Sequence, residues 1–258
     1  MSLLRVDGLG KKFGGVNAVE ELSFEVRPGA VYSIIGPNGA GKTTLLNLLT
    51  GVYQPSAGRI EFDGHDLTGR APHEYARHGI ARTFQNLQVF FNMSALENVM
   101  VGRYLQERCG LLPTLLRAPR LARAERAGRA EATELMRYVG LQDYLRAGSD
   151  AMPYGALKRL EIARALATRP KLMLLDEPAA GLNPTEAVEL DDLIGRLTGR
   201  GVTVVLVEHN MRLVMGVSDQ ILVLDYGRKL AEGTVSAVRN DPKVIEAYLG
   251  TAKSGARA

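Results

Sequence analysis

Apolar and polar positions along the chain fall into blocks that predict alternating strands and helices. Over the first third, short apolar runs are separated by glycine turns, as expected for strands. The run 30–35 is apolar at almost every position, which is typical of a strand buried on both faces. The apolar stretch 44–50 after it predicts a helix. Further strands are expected at 3–9, 21–26, 58–67 and 80–86, and a further helix at 71–79.

The middle of the chain differs, because strand-like runs disappear and helix-forming residues dominate. Ser94 followed by Glu97 is a capping-box pattern, which marks a helix start. We expect an inserted helical subdomain over 91–165. A basic series within it is interpreted either as a solvated helix face, the usual role of such series, or as a contact for a partner or lipid headgroups. Its members are Arg117, Arg120, Arg123, Arg126 and Arg129.

The last third returns to buried strands that alternate with helices, the pattern of a parallel sheet with helices on its faces. The strands are expected at 171–178, 201–210 and 220–228, and the helices at 184–201, 211–219 and 241–250. We therefore predict a single α/β domain over 1–258. Its core is formed by 1–90 and 166–258, on either side of the helical insertion.

Composition narrows the class of protein. With 258 residues and 46% hydrophobic residues, the chain is large and apolar enough for a packed core. No apolar run approaches the roughly 20 residues that span a bilayer, and the start lacks a signal peptide's apolar stretch. We expect a cytosolic protein unless a partner holds it at a membrane. The lone Cys109 fits a reducing compartment and is interpreted as incidental.

The net charge of +4 is mildly basic. Nucleic acid or an anionic membrane surface could explain it, and so could chance, which we favour. There is no Trp and little interleaving of aromatic with basic residues, so a stacking platform for single-stranded nucleic acid is not expected.

The run GPNGAGKTT at 36–44 matches the phosphate-loop pattern G-x-x-x-x-G-K-[ST], between a predicted strand and a predicted helix. Glycines let the backbone curl so that successive N–H groups point at phosphate oxygens. Lys42 is expected to reach the β- and γ-phosphates of ATP, and Thr43 to bind Mg²⁺. The expected nucleotide-binding residues of this loop are Gly36, Pro37, Asn38, Gly39, Ala40, Gly41, Lys42, Thr43 and Thr44.

Two acids follow the apolar strand KLMLL, at the sheet edge where open α/β folds bind ligands. Asp176 is predicted to hold Mg²⁺. Glu177 is predicted to polarise an attacking water, since a buried carboxylate beside another has a raised pKa and suits a general base. Solvated acids at a strand end are the alternative, which the upstream phosphate loop makes improbable.

Two further polar residues end predicted strands. Gln85 could touch Mg²⁺ or the water and still move away, and His209 could hydrogen-bond the γ-phosphate. A polar loop residue and a structural histidine are the respective alternatives. With Glu177, these two residues form the predicted catalytic set, and Thr43, Gln85 and Asp176 form the predicted metal set.

These residues, in this order, resemble the ATP-binding subunits of ABC transporters over about 3–250. The resemblance implies an α/β fold: a P-loop NTPase core with a small N-terminal antiparallel β subdomain and the inserted helical subdomain. It implies ATP hydrolysis with ATP and Mg²⁺ as cofactors. Phe13 stands where the family stacks an aromatic ring on adenine. Residues 154–166 stand at the family's signature segment, so Pro153, Tyr154 and Gly155 are expected to bind ATP held by a second subunit.

The signature departs from the common L-S-G-G-Q, because residues 152–156 read MPYGA and lack the serine. This departure puts in doubt how strongly the segment supports hydrolysis in the partner's site. Asn183 also replaces the acid of the family's S-A-L-D segment. The dimer contact there should therefore be less charged.

Within the family, segments such as LEIARALAT, LDEPAAGLNP and NDPKVIEAYLG look like the LivG type, which drives bacterial import of branched-chain amino acids. That type implies a second, different ATPase subunit, two membrane-spanning permease subunits and an external binding protein, with no nucleic acid. It places the chain on the cytoplasmic face of the inner membrane. Relatives of similar sequence serve urea or amide import and lipopolysaccharide export, and other amino acids are a further alternative.

Two other classes of function remain as rivals. A soluble ABC protein acting on DNA or ribosomes usually has two cassettes or long coiled-coil insertions, which this chain lacks. A regulator that binds nucleotide without hydrolysis is opposed by the intact Glu177 and His209.

Overall fold

The computed structural model describes residues 2–105 and 119–247. The strands within these residues are β1 (Leu4–Phe13), β2 (Val16–Val26), β3 (Val31–Ile35), β4 (Ala57–Phe62), β5 (His65–Asp66), β6 (Ile80–Arg82), β7 (Leu172–Asp176), β8 (Thr203–Val207), β9 (Gln220–Asp225) and β10 (Arg228–Gly233).

The helices in the same residues are α1 (Lys42–Leu48), α2 (Pro72–His78), α3 (Ala95–Gly102), α4 (Pro119–Tyr138), α5 (Tyr154–Leu166), α6 (Pro184–Gly199), α7 (Met211–Val217), α8 (Val235–Arg239) and α9 (242–247). Short 3-10 turns lie at Arg103–Leu105, Gln142–Tyr144 and Ser149–Ala151. Among the helices described, none combines the length and the apolar character that crossing a bilayer requires.

Two sheets organise the fold. The larger has the order β10-β9-β3-β8-β7-β6, parallel except for the hairpin partner β10. The smaller is antiparallel, in the order β2-β1-β4-β5. Both agree with the α/β class and with the small N-terminal antiparallel subdomain expected from the sequence.

The central strands bury both faces, and β7 shows how. Leu172 and Leu174 pack with α1 and the small sheet, while Met173 and Leu175 pack with α5, α6 and the helical insertion. This alternation is the period of two that a strand imposes on its side chains. Each fully buried leucine contributes roughly 1.5–3 kcal/mol relative to an exposed one.

The helical insertion packs on one side of the large sheet through α3, α4 and α5. The predicted capping box at its start is present: Ser94 Oγ accepts from the Glu97 amide at 3.2 Å, and the Ser94 amide donates to the Glu97 carboxylate. In the basic series, the side chains of Arg123 and Arg129 are exposed. Arg117 and Cys109 lie outside the described residues.

One predicted element ends early. The strand expected at 80–86 stops at Arg82, and among the described strands β6 pairs with β7 alone. The Thr83 amide still donates to the Leu174 carbonyl, after which the chain leaves the sheet. Residues 84–86 therefore form a loop at the edge of the sheet rather than the end of a strand.

The loop between β3 and α1 packs closely against neighbouring backbone segments. Its glycines differ in whether a side chain would fit at their position. Gly36 has φ 155°, and a Cβ there would lie 2.2 Å from the Leu224 carbonyl oxygen. Gly41 has φ 98°, and a Cβ would lie 2.4 Å from the Ala18 carbonyl oxygen. Gly39 has φ 82° but faces open space. Close packing therefore demands glycine at 36 and 41, whereas at 39 only the backbone conformation favours it.

We expect Gly36→Ala to destabilise the protein much more than Gly39→Ala. Gly39→Ala adds only the cost of a left-handed residue, about 1–2 kcal/mol. Gly36→Ala adds a clash with backbone, comparable to overpacking a core, for about 1–3 kcal/mol more. Urea unfolding of both variants measures the difference in free energy of unfolding. Equal losses of unfolding free energy in the two variants would contradict this expectation, because they would show that the backbone at Leu224 moves aside at no cost.

Candidate functional site

The phosphate loop surrounds the Lys42 ammonium, which is 9% exposed. Lys42 Nζ donates to the carbonyl oxygens of Gly36 at 2.7 Å and Pro37 at 3.0 Å. Burial lowers the pKa of Lys42, and the nearby carboxylates of Glu177 and Asp176 partly offset that shift. The Thr43 side chain, at the start of α1, is exposed. The loop thus offers a cation held by loop carbonyls and a free hydroxyl on the adjacent turn.

Asp176 ends β7 as half of a buried ion pair. Arg82 Nη2 donates to Asp176 Oδ2 at 2.8 Å, with the two side chains 6% and 7% exposed. Arg82 Nη1 donates to Asn47 Oδ1 on α1 at 2.6 Å. In the described residues, no hydrogen bond is donated to Asp176 Oδ1. One carboxylate oxygen is therefore fixed, and the other remains available as a ligand.

Gln85, Glu177 and His209 meet beside this pair. Gln85 Nε2 donates to Glu177 Oε2 at 3.1 Å, and His209 Nδ1 lies 3.8 Å from the same oxygen. Glu177 adopts φ 46°, an uncommon conformation for a residue other than glycine, and its amide donates to the Val207 carbonyl at 2.8 Å. The structure thus places the three residues of the predicted catalytic set in one cluster around a single carboxylate.

A second buried carboxylate, Glu208, organises the loops around this cluster. Its Oε1 accepts from the Ala179 amide at 2.8 Å, and its Oε2 from the amides of His209 and Asn210 at 3.1 and 3.2 Å. Its side chain has 0% exposure. Because backbone amides satisfy a buried carboxylate, Glu208 ties the segment after Glu177 to the segment that carries His209.

Two buried side chains of α5 hold the loop that carries Gln85. Lys158 Nζ donates to the Gln85 carbonyl at 2.8 Å, and Glu161 Oε1 accepts from the Gln88 amide at 2.6 Å. Burial raises the pKa of Glu161, while the Gln88 amide, Lys158 and Arg164 oppose that shift. The loop is thereby attached to the helical insertion at two points one helical turn apart.

The remaining predicted residues lie on other elements, and of these Gly155 is buried. Phe13 is 44% exposed at the β1–β2 turn and packs edge-to-face on Tyr53, with centroids 5.3 Å apart. Pro153 is the N-cap of α5. Tyr154 lies against Gly181, where a Cβ would be 2.9 Å from its ring. Gly155 leaves no room for a Cβ against Glu186. The signature segment thus packs on the segment that follows Glu177.

These residues fit a nucleotide and a magnesium ion. At Gly36 and Gly41 a Cβ would clash with the carbonyls of Leu224 and Ala18, so glycine is needed to hold the loop in this curled conformation. Asp176 Oδ1 and the Thr43 hydroxyl are oxygen donors, which Mg²⁺ prefers. Within the described ranges, no three His, Cys, Asp or Glu side chains are grouped to hold a metal by themselves. A magnesium ion here would need phosphate oxygens, as is usual at nucleotide sites.

The sequence reading missed four buried charged residues of the site: Arg82, Lys158, Glu161 and Glu208. The sequence pattern that could have identified them is a charged residue within an otherwise apolar strand or helix face. Charged residues are rarely buried unless they are paired, so such a position indicates a partner. Glu208, directly after the apolar run VVLV, was the most visible of them.

Sequence comparison relates the chain to known proteins. The sequence model of the family described as ABC transporter matches residues 19–180, and that of the branched-chain amino acid ATP-binding cassette transporter matches residues 228–254. The chain is 45% identical to the high-affinity branched-chain amino acid transport ATP-binding protein LivG of Salmonella typhimurium, over 97% of this chain and 98% of that protein. Identity and coverage are the same for BraF of Pseudomonas aeruginosa.

Solved structures of related proteins have the same fold as this chain. A nucleotide-free ATP-binding cassette from an ABC transporter superposes with a TM-score of 0.83 at 33% identity, covering 96% of this chain and 99% of that one. The ADP conformation of the cassette MJ1267 gives 0.83 at 32% identity, covering 97% and 99%. These matches confirm the predicted fold class and the predicted resemblance. The chain belongs to the family of ATP-binding cassettes of ABC transporters.

Proposed function

We propose that this chain hydrolyses ATP to energise the import of branched-chain amino acids: leucine, isoleucine and valine. The observation that carries the proposal is the cluster of Gln85 and His209 around the Glu177 carboxylate, beside the Lys42 loop. The relatives that share 45% identity over nearly the whole chain are branched-chain amino acid transport proteins. Their substrate is extended here to this chain on that likeness.

The residues divide the chemistry among them. The loop 36–44 binds the phosphates through backbone N–H groups and Lys42, and Phe13 stacks on adenine. Thr43, Gln85 and Asp176 would hold Mg²⁺, which would neutralise charge on the phosphate oxygens. Glu177 orients the attacking water and accepts its proton, while His209 supports the γ-phosphate.

The position of the Glu177 carboxylate favours a role in activating water. Its Oε2 accepts a hydrogen bond from Gln85 at 3.1 Å and lies 3.8 Å from His209 Nδ1, so both side chains stand next to the carboxylate. In phosphoryl transfer, positioning and electrostatics supply most of the catalysis. A water held by Glu177 in line with the γ-phosphate would meet that requirement.

The composite site needs a second ATPase subunit, for which we propose a different chain. Pro153, Tyr154 and Gly155 of this chain would face the nucleotide of that subunit. The amides at the start of α5 would contact its γ-phosphate, without help from the serine that the signature lacks. Asn183 caps α6 by accepting from the amides of Thr185 and Glu186, so it stabilises the segment beside this surface as well as an acid would.

We further propose that two membrane-spanning permease subunits hold the chain at the cytoplasmic face of the inner membrane and receive substrate from an external binding protein. Supporting this is a cleft of about 680 Å³ between the sheet and the helical insertion, lined mainly by apolar residues. Phe84, Phe90, Val101 and Tyr104 expose 42%, 44%, 40% and 80% of their surface there. Exposed apolar clefts of this kind mark docking sites.

Turnover should stop while nucleotide binding persists in Glu177→Gln, because the amide keeps the shape of the side chain but cannot accept the proton of the water. We expect a loss of at least about 100-fold in phosphate release by the assembled transporter, in the range for a general base. Leucine uptake by cells lacking this chain should be restored by wild type and not by Glu177→Gln. Full turnover by the variant would remove Glu177 from its role. Uptake that never depended on the chain would refute the substrate.

The docking cleft is tested by placing a charge in it. Val101→Glu should abolish uptake and co-purification with the permease subunits, since a buried unpaired carboxylate is costly at an apolar interface. Binding of ATP by the purified chain should be unchanged. Ile245→Glu, at a residue exposed to a similar extent on α9, is the matched control and should support normal uptake. Normal co-purification of Val101→Glu would exclude the cleft as the docking site.

A further inference from the structure

Arg82 bridges two elements that carry the expected magnesium ligands. Its Nη2 holds Asp176 on β7 at 2.8 Å, and its Nη1 holds Asn47 on α1 at 2.6 Å. Asn47 is four residues after Thr43, so it lies one helical turn along the same face of α1. A single guanidinium thus joins the strand that carries Asp176 to the helix that carries Thr43.

The bridge is buried and rigid. The side chains of Arg82 and Asp176 are 6% and 7% exposed, and the Phe84 ring lies 4.8 Å from the guanidinium carbon. Arg82 Nε is buried without a hydrogen-bond partner. A buried ion pair generally stabilises a fold no better than well-packed apolar residues would, and an unpartnered N–H adds a further cost. Stability alone is therefore a weak reason for an arginine at this position.

We propose that Arg82 is a positioning residue that sets the orientation of Asp176 relative to α1 and so determines the affinity of the nucleotide site for Mg²⁺. The inference rests on the proposed ATPase function. Arg82 fixes Oδ2 of Asp176, which leaves Oδ1 for the ion. It fixes α1 through Asn47, which sets how far the Thr43 hydroxyl lies from that oxygen.

The forked guanidinium is needed for this role. Its two terminal nitrogens reach acceptors on different elements at the same time. A lysine ammonium is a compact point charge and would keep the charge opposite Asp176 without the planar fork. Residues that orient metal ligands from behind typically alter metal affinity by about 10- to 100-fold when mutated.

The test measures Mg²⁺ affinity separately from turnover. Glu177→Gln serves as the background, and binding of a fluorescent ATP analogue is titrated with Mg²⁺, starting from excess chelator. Arg82→Gln and Asn47→Leu should each raise the Mg²⁺ concentration at half-saturation about tenfold or more. Arg82→Lys should fall between these variants and the background. Binding of the analogue in chelator should change less than about twofold, because the loop and Phe13 are untouched.

Asn47→Leu separates this role from a structural one. It removes the 2.6 Å hydrogen bond from Arg82 Nη1 to α1, and leaves in place the Arg82–Asp176 pair and the longer contact from Nη1 to Thr50 Oγ1 at 3.4 Å. It therefore decides the question even if Arg82→Gln does not fold. Arg59→Gln is the matched charge control, since Arg59 pairs with Asp66 at the surface and is 55% exposed. It should leave the Mg²⁺ midpoint unchanged.

The outcomes are distinct. A raised midpoint in Asn47→Leu, with normal binding in chelator, supports the role of Arg82. A Mg²⁺-dependent background with unchanged midpoints in Asn47→Leu and Arg82→Lys overturns it and leaves the ATPase proposal standing. A background that binds the analogue equally with and without Mg²⁺ overturns both.

Discussion

The parallel pairing of β3, β8, β7 and β6 is the constraint on which the site depends. In register, Ile34 pairs with Val207, Val207 with Asp176, and Leu174 with Arg82. Because parallel strands end at a common edge, four chain segments leave the sheet side by side. These segments carry the phosphate loop, the two acids, His209 and Gln85. The register of the sheet thus brings residues more than 170 positions apart to one edge.

Buried charges then connect what the strands have aligned. Arg82 joins β7 to α1, and Glu208 joins the segments after β7 and β8. A loop that must respond to a ligand would be poorly held by apolar contacts, which are non-directional. Hydrogen bonds to ionised groups are directional and stronger than neutral ones, so they place a backbone amide or carboxylate at a defined position. The apolar core supports the sheet, and hydrogen bonds to these buried charged side chains fix the positions of the segments at its edge.

The sequence predicted the parts of this arrangement that are local. The phosphate loop, the acids at the end of β7 and the cap at Ser94 each depend on neighbours within a few residues, so spacing alone identified them. The bridge from Arg82 to Asp176 spans 94 positions, and that from Lys158 to Gln85 spans 73. Hydrophobic periodicity carries no information about such pairs. The end of β6 at Arg82 was not predicted either. Strand order depends on pairing between distant segments, which the pattern of the strand itself does not contain.

The attachment of the Gln85 loop to α5 would link two nucleotide sites in a dimer of the proposed kind. Lys158 and Glu161 grip that loop, and the helix on which they stand begins at Tyr154, in the segment expected to face the nucleotide of a second subunit. In the proposed dimer, one helix would therefore contact both the loop beside this chain's own nucleotide and the nucleotide of the neighbour. In a dimer of the proposed kind, such a connection is a built-in source of cooperativity. Occupancy of one site would then change the free energy of closing the other.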